Sequence, residues 1–247
     1  MAVNAELEAR LAATTEELDA ARKELEGFSY SVAHDLKAPL RIIDGFSGIL
    51  LEDPEKGDLP PTSRHQLELI HNSARQMLAQ INDLIEFSRL SRTELRTRDV
   101  KLAPIVDRLV DHMKAAEPGR DINVVVGRLP DCRGDEDLLG KVFANLLSNA
   151  LKFSGGRDRT KITVGSRADA VTGPHYFVRD NGVGFDSRYA NKLFGVFQRL
   201  HRAEDYPGTG MGLATVQRIV HRHGGRVWAE AAPDRGATFF FTLGPRP

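Results

Sequence analysis

Apolar residues recur at heptad spacing over the first thirty residues of the chain, and this pattern constrains the fold more than any other feature. The positions of the repeat are Leu7, Leu11, Thr14, Leu18, Ala21, Leu25, Phe28 and Val32. The residues between them are mostly Glu, Lys, Arg and Ala. A helix with such a stripe needs a partner helix to cover it, so the sequence predicts a coiled coil.

The amphipathic pattern continues past the heptads and returns after a break. The stretch EDPEKGDLPPTS, residues 52–63, is rich in Pro, Gly and acidic residues and is expected to end the first helix. Apolar positions precede it at Leu36, Leu40, Ile43, Phe46, Ile49 and Leu50, and follow it at Leu67, Ile70, Ala74, Met77, Leu78, Ile81, Leu84 and Ile85. Two antiparallel helices cannot bury both stripes alone, so a homodimeric four-helix bundle is predicted.

After Arg92 the pattern changes to strands interleaved with helices. The strand-like segments are INVVV, ITVGSR, HYFVRD, RVWAEA and ATFFFTL, and the helical ones are DEDLLGKVFANLLSNALKF and GLATVQRIVHRHG. This alternation, with strands at the end, predicts an α+β domain. The expected organisation is a coiled-coil helix at 1–28, an all-α helical hairpin at 29–92 and the α+β domain at 93–247.

Composition narrows the class of protein. The 34 basic and 34 acidic residues balance, so no global field attracts nucleic acid or an anionic membrane. A single cysteine, Cys132, excludes an internal disulfide framework and suits a reducing compartment. No apolar run approaches the ~18 residues of a membrane span, and the N-terminus has no signal-peptide pattern. A cytoplasmic protein, or the cytoplasmic part of a longer one, is expected.

The segment NLLSNALKF carries polar groups suited to a nucleotide. Asn145, Asn149, Lys152 and Phe153 are spaced to share one helix face. An amide oxygen is a ligand that Mg²⁺ accepts, and a lysine can meet phosphate as a point charge. The alternative is a solvated polar face beside a Leu-rich core.

The segment DNGVGF follows a strand and places two glycines around a tight turn. Gly182 and Gly184 permit positive φ and close approach of the backbone to a ligand. Asp180 could accept a hydrogen bond from an adenine amino group. The alternative is a simple hairpin turn, which Asn-Gly favours.

The segment PGTGMGLATVQRIV places Gly208, Gly210 and Gly212 immediately before an amphipathic helix. The free N–H groups of a helix N-terminus bind phosphate. The segment does not follow the Rossmann order, and the GxxxxGK[ST] of a P-loop is absent, so this glycine cluster alone is weak evidence.

The order and spacing of these segments are more specific than any one of them. HDLKAPL, NLLSNALKF, DNGVGF and GTGMGLA resemble the H, N, G1 and G2 boxes of two-component sensor histidine kinases. LFGVFQR (193–199) is similar to the F box, and GATFFF (236–241) to the final glycine motif. The resemblance runs from about Glu6 to Leu243, and the H box looks most like those of phytochrome-type kinases.

The resemblance implies a fold, an activity and partners. The second domain would have the Bergerat-type α/β sandwich shared by histidine kinases, Hsp90-type chaperones, gyrase B and MutL. The protein would be a Mg·ATP-dependent protein-histidine kinase that phosphorylates His34 and passes the phosphoryl group to an aspartate of a response-regulator receiver domain. The coiled coil would couple an upstream sensor, absent from this chain, to the catalytic domain. Two rivals are a scaffold that docks a regulator without turnover and a chaperone-type or repair-type ATPase.

His34 is the phosphoryl acceptor that the resemblance implies. A neutral imidazole nitrogen is a nucleophile near pH 7, and Asp35 can accept the N–H of the other ring nitrogen. Pro39 has no N–H for the carbonyl of Asp35, so a bend of the helix is expected near His34. The alternative is an exposed histidine with an incidental proline. The other histidines considered, His65, His71, His201, His221 and His223, are expected to be surface or packing residues.

The resemblance also implies the composition of the ATP site. Asn149 would ligate Mg²⁺, and Asp180 would read adenine. The full predicted nucleotide-binding set is Asn145, Asn149, Lys152, Phe153, Asp180, Gly182, Gly184, Gly208, Thr209, Gly210, Gly212, Leu213 and Thr238, with Thr238 supporting Asp180 from the neighbouring strand. Residues from about 185 to 209 would form the ATP lid. Within it, Arg199 would stabilise charge on the transferring phosphoryl group, the alternative being a surface arginine on a mobile loop.

One position departs from the family pattern. Many relatives have Thr or Asn four residues after the histidine, where it positions a water that dephosphorylates the partner. Here that residue is Ala38, which has no hydrogen-bonding side chain. The sequence therefore predicts weak phosphatase activity toward a phosphorylated partner.

Overall fold

The chain forms two compact units, Met1–Arg92 and Thr93–Pro247. A computed structural model describes residues 2–52, 59–169, 173–201 and 205–244. Within the first helix most side chains before residue 31 lie outside the description. The predicted heptad side chains of Leu7, Leu11, Leu18, Ala21, Leu25 and Phe28 are among these, so their coiled-coil packing stays a prediction.

The first unit consists of two long helices, α1 (Ala2–Glu52) and α2 (Pro61–Arg92). The first ends at the edge of the Pro- and Gly-rich stretch, and the second begins on a proline, a residue that suits the first turn of a helix. α1 continues through Pro39 as one helix. The bend predicted near His34 stays a prediction. In the described part of the chain, no helix combines the length and the apolar character needed to cross a membrane.

The two helices pack through a small apolar core and a polar contact. Ala33 and Leu40 of α1 are buried with Ile81 of α2, and Leu78, Leu84 and Ile85 pack against them. Nearer the connection, the buried Ser47 lies 3.1 Å from Nδ1 of His71, measured from Oγ. His71 is therefore a packing residue of the hairpin, as the sequence predicted.

The hairpin leaves an apolar surface exposed. The large apolar side chains on it include Val32 (39% exposed), Leu36 (50%), Ile43 (44%), Phe46 (66%), Ile70 (50%) and Met77 (43%). A surface of this kind marks an interaction site in a stable protein. The predicted four-helix dimer would cover part of it.

The second unit is an α+β domain. Its helices are α3 (Leu102–Ala116), α4 (Glu136–Phe153) and α5 (Gly212–Arg222), and a 3-10 helix spans Ser187–Lys192. Its strands are β1 (Arg98–Val100), β2 (Ile122–Val126), β3 (Cys132–Gly134), β4 (Thr160–Arg167), β5 (His175–Asp180), β6 (Val227–Ala231) and β7 (Ala237–Phe241). β1 and β3 form a small antiparallel sheet that the sequence did not predict. The predicted fold class, a helical region followed by an α+β domain, is confirmed.

The main sheet has five strands in the order β2-β4-β5-β7-β6. β2 and β4 are parallel, and the other pairs are antiparallel. Alternate residues of a strand face opposite sides. On one side Phe241 stacks on Tyr176, with centroids 5.2 Å apart, and meets Phe143 of α4 edge-on at 5.5 Å. On the other side Phe240 stacks on Trp228 at 5.2 Å.

α4, which carries the predicted N box, is held at both ends. At its start the Asp135 carboxylate accepts a hydrogen bond from Leu138 N at 3.1 Å, a standard N-cap. At its end the Arg120 guanidinium donates to Leu151 O at 2.7 Å and to Thr160 Oγ1 at 2.9 Å. A cation that pairs terminal carbonyls also suits the helix dipole. The N-box side chains therefore project from a fixed helix.

Candidate nucleotide site and phosphoacceptor

Asp180, at the end of β5, is a buried carboxylate whose geometry suits recognition of a ligand amino group. Its side chain accepts hydrogen bonds from Gly182 N at 2.8 Å and Ala237 N at 3.2 Å. Burial raises the pKa of Asp180, and the two N–H bonds oppose that rise. Both bonds reach Oδ1, so within the described part of the chain Oδ2 is left for a ligand.

The two glycines of the G1 turn leave no room for a side chain. A Cβ on Gly182 would lie 2.5 Å from Phe153 O, and one on Gly184 would lie 2.1 Å from Ala232 O. Gly184 also has a φ of +61°, a region that favours glycine. The turn is therefore pressed against the end of α4, which brings the G1 and N boxes together.

Arg157 braces this turn, a role that sequence reasoning missed. Its guanidinium donates to Asn181 O at 3.0 Å and, through one nitrogen, to Gly182 O at 3.0 Å and Asp234 O at 3.1 Å. These partners lie 24 to 77 residues away along the chain, so no local pattern could have signalled them. Arg157 therefore satisfies two carbonyls of the turn and one of a distant segment.

Lys152 and Arg199 both lie beside Gly208 of the G2 box. Lys152 Nζ lies 4.4 Å from the ring centroid of Phe153, and it would be 3.2 Å from a Cβ on Gly208. Burial, and secondarily the charge of Arg199, lower the pKa of Lys152. Like charges repel, and a bound anion would offset the unfavourable electrostatic energy between the two side chains. The arrangement therefore fits a phosphate group.

Arg199 is already engaged with the lid backbone. One guanidinium nitrogen donates to Gly208 O at 2.7 Å and the other to Tyr206 O at 2.6 Å. These bonds tie the Arg199 side chain to the backbone at Tyr206 and Gly208. The predicted contact of Arg199 with a transferring phosphoryl group stays a prediction.

The start of α5 meets the N box. Gly212 opens the helix, and a Cβ there would lie 2.7 Å from Asn145 Oδ1. Its N-cap residue, Met211, makes no side-chain capping bond, although Thr209 Oγ1 accepts from Met211 N at 3.3 Å. Gly210, with φ of +79°, lies against the backbone of Phe197. Leu213 follows in the first turn, where N–H groups are available to an anion.

Asn149 lies on the predicted N-box helix, and Thr238 lies on the strand next to the one that carries Asp180. Asn149 is half-buried on α4, between Asn145 and Lys152. Thr238 lies opposite Arg179 in the sheet, while the hydrogen bond that reaches Asp180 from β7 comes from Ala237 N. The metal-binding role of Asn149 and the supporting role of Thr238 stay predictions.

His34 is exposed on α1, with its carboxylate neighbour beside it. Nδ1 lies 3.3 Å from Asp35 Oδ1, and the two side chains are 71% and 77% exposed. With the proton on Nδ1, this pairing leaves the lone pair of Nε2 for an incoming electrophile. The arrangement therefore suits a solvent-accessible nucleophile.

His201 is a half-buried packing residue, one of the two roles that the sequence suggested, and its contacts lie at the predicted nucleotide site. Its Nε2 lies 3.1 Å from Gly184 O, and its ring is 5.4 Å from the Phe153 ring. Both neighbours belong to the predicted nucleotide site. His223, by contrast, is structural: Asp135 N donates to its Nε2 at 3.0 Å, and its Nδ1 donates to Ile219 O at 2.8 Å, which ties α5 to the start of α4.

Two known domain families match most of the sequence. The His Kinase A (phospho-acceptor) domain matches residues 24–93. The histidine kinase-, DNA gyrase B-, and HSP90-like ATPase matches residues 134–247. His34 falls in the first match, and Asn145, Asn149, Asp180 and Gly212 fall in the second.

Full-length relatives are longer than this chain. Cyanobacterial phytochrome B of Nostoc sp. is 37% identical over 230 residues, which are 92% of this chain and 30% of that protein. Methanogenesis regulatory histidine kinase FilI of Methanothrix harundinacea is 34% identical over 232 residues, 94% of this chain and 26% of that protein. The chain thus spans less than a third of these curated relatives.

The fold is also found among solved structures. Full-length ShkA, crystallised in complex with AMPPNP, superposes with a TM-score of 0.62 at 24% identity. The match covers 90% of this chain and 47% of that one. At this identity the likeness shows a shared fold.

Proposed function

We infer the function from one premise: this chain belongs to the sensor histidine kinases, with a His Kinase A domain followed by a histidine kinase-type ATPase domain. We propose that it binds ATP with Mg²⁺, phosphorylates His34 and donates the phosphoryl group to an aspartate of a response-regulator receiver domain. The observation that carries the proposal is that one chain holds an exposed His–Asp pair within the phospho-acceptor match and, within the ATPase match, a buried Asp180 whose two described hydrogen bonds both use Oδ1.

His34 would act as the nucleophile of the first transfer. Nε2 forms a bond to the γ-phosphorus of ATP as the bond to the bridging oxygen breaks and ADP leaves. Asp35 holds the Nδ1 proton and stabilises the positive charge that develops on the ring. In the second transfer the same N–P bond breaks, and the phosphoryl group passes to a carboxylate oxygen of the partner.

Residues of the second unit would bind and orient the nucleotide. Asp180 Oδ2 accepts from the adenine amino group, and Lys152 and the first turn of α5 meet the phosphates. Asn149 would hold Mg²⁺, which neutralises phosphate charge when bound. The fit to ATP is supported by Lys152 and Arg199, which both lie beside Gly208 of the G2 box. Burial, and secondarily the charge of Arg199, lower the pKa of Lys152, and a bound phosphate would offset that charge.

The partners follow from the first unit. The exposed apolar residues of α1 and α2 support a homodimer with a four-helix bundle. The predicted coiled coil at 1–28 would connect an upstream sensor to the hairpin at 29–92, and residues 93–247 would be the catalytic ATP-binding domain. The cytoplasm, where response regulators and ATP are available, is the proposed location.

The test of this proposal is incubation with γ-labelled ATP and Mg²⁺, with and without EDTA. Acid-labile, base-stable label on the protein, lost with EDTA, is the expected result. Release of labelled phosphate with none on the protein would favour the chaperone-type ATPase. Binding of ATP with neither label nor release would favour the scaffold.

Ala38 leads to a separate prediction about the reverse reaction. We expect the parent to accelerate the dephosphorylation of a phosphorylated receiver domain only weakly, because Ala38, which is exposed, offers no group to position water. Ala38→Thr should raise that rate. The measurement is loss of label from the isolated phosphorylated receiver with ADP present. Rapid loss with the parent, without label returning to ATP, would contradict the prediction.

A further inference from the structure

His201 connects the ATP lid to two walls of the nucleotide site. Its Nε2–H donates to Gly184 O at 3.1 Å, on the G1 turn that carries Asp180. Its ring lies over the end of α4, where the Phe153 centroid is 5.4 Å away. The side chain is half-buried, so these contacts are partly removed from water.

A third ring closes this cluster. The Tyr206 ring lies 5.1 Å from Phe153 and 5.3 Å from His201, both in tilted arrangements. Aromatic contacts at this separation are favourable beyond simple burial. Two of the three rings belong to the lid and the third to the N box, so the cluster fastens the lid to a fixed helix.

The same cluster is continuous with the cationic side of the site. Tyr206 O accepts from Arg199, which also donates to Gly208 O. Gly208 in turn lies next to Lys152 Nζ. Contacts therefore run from the G1 turn through His201, Tyr206 and Arg199 to the G2 box, and His201 is where this chain of contacts joins the adenine side.

We propose that His201 is a positioning residue for the nucleotide base, because its N–H and ring hold the lid against the G1 turn and Phe153. The inference rests on the proposed ATP-binding function. On this inference, His201 contributes to nucleotide affinity through the base and not through the phosphates. Loss of the side chain should then weaken every adenine nucleotide by the same factor, whatever its number of phosphates.

The experiment measures the affinity of ATP, ADP and AMP for the full chain carrying His201→Ala, His201→Gln or His201→Phe. We expect His201→Ala to weaken all three by about tenfold. Gln keeps an N–H donor and Phe keeps the ring, so each should lose less than Ala. Urea unfolding without nucleotide, followed by the fluorescence of Trp228, should match the parent, which excludes a general loss of structure.

Two further variants sharpen the result. His221→Ala, at an exposed position of α5, is the matched control and should bind like the parent. Lys152→Met should weaken ATP and ADP more than AMP, since its charge faces phosphate. Binding of all three nucleotides by His201→Ala within twofold of the parent would overturn the inference, as would a loss that grows with phosphate number. Failure of the parent itself to bind ATP would instead defeat the proposed function.

Discussion

Asp180→Asn is expected to weaken ATP binding roughly 100-fold while leaving the empty protein at least as stable as the parent. The amide oxygen can still accept from Gly182 N and Ala237 N, which both reach Oδ1. The asparagine then has an NH₂ group in place of Oδ2. This group is a hydrogen-bond donor, and so is the adenine amino group that it would meet. The ligand contact is therefore reversed while the internal contacts are kept.

The stability of this variant has a predictable dependence on pH. Burial raises the pKa of Asp180 above its ordinary value of 3.8. Between these two pKa values, the folded protein keeps a proton on Asp180 that the unfolded chain has lost. The contribution of Asp180 to stability therefore falls as pH rises from 3.8 through the raised pKa. The asparagine avoids this cost. Its advantage over the parent should be largest near neutral pH and should vanish below about pH 3.8.

The measurement combines nucleotide titration with thermal unfolding of the nucleotide-free protein. Asp121→Asn is the matched control, because Asp121 is exposed and pairs with Arg159 at 3.3 Å on the surface. It should change neither property appreciably. ATP affinity of Asp180→Asn within threefold of the parent would remove Asp180 from the adenine contact.

Gly184→Ala should lower the free energy of unfolding of the second unit by roughly 3 kcal/mol or more. Two effects add at this position. The φ of +61° disfavours any residue with a Cβ, and the Cβ itself would stand 2.1 Å from Ala232 O and 2.8 Å from Gly236 O. Backbone must move to admit it, because both nearby atoms are main-chain carbonyl oxygens.

Two other glycines separate these effects. Gly173 has a φ of +79°, and no atom of the described residues lies within 4 Å of a Cβ there, so Gly173→Ala isolates the conformational cost of about 1 kcal/mol. Gly156 also has open space but no positive φ, so Gly156→Ala should be near neutral. Urea unfolding followed by Trp228 reports on the second unit directly. A loss in Gly184→Ala no larger than that in Gly173→Ala would contradict the packing described for the turn.

The sequence predicted the parts of the fold that have a local signal. Helical periodicity located α1, α2, α4 and α5, and the Pro- and Gly-rich stretch separated the first two. The strands β1 and β3 were missed because each has three residues, too few to show alternation, and they pair between Arg98 and Gly134 across an intervening helix and strand. Pairing at such a distance depends on the packed core and not on local preference.

The same distinction applies to the site. The boxes were found because their residues lie close together in the sequence, where helix spacing and glycine turns can be read directly. The contacts that assemble them were not found. Arg157 reaches carbonyls of three other residues, Ala237 N supports Asp180 from 57 residues away, and His201 reaches Gly184 O from within the lid. Each depends on segments that are separated in the sequence and meet only in the fold, which spacing alone does not reveal.

The central claim is that His34 receives the phosphoryl group. The most direct measurement is protein-bound label after incubation with γ-labelled ATP and Mg²⁺, comparing the parent with His34→Gln and with His65→Gln, an exposed histidine on α2. All three should bind ATP equally. We expect acid-labile label on the parent and on His65→Gln and none on His34→Gln; label that persists on His34→Gln would place the acceptor at another residue.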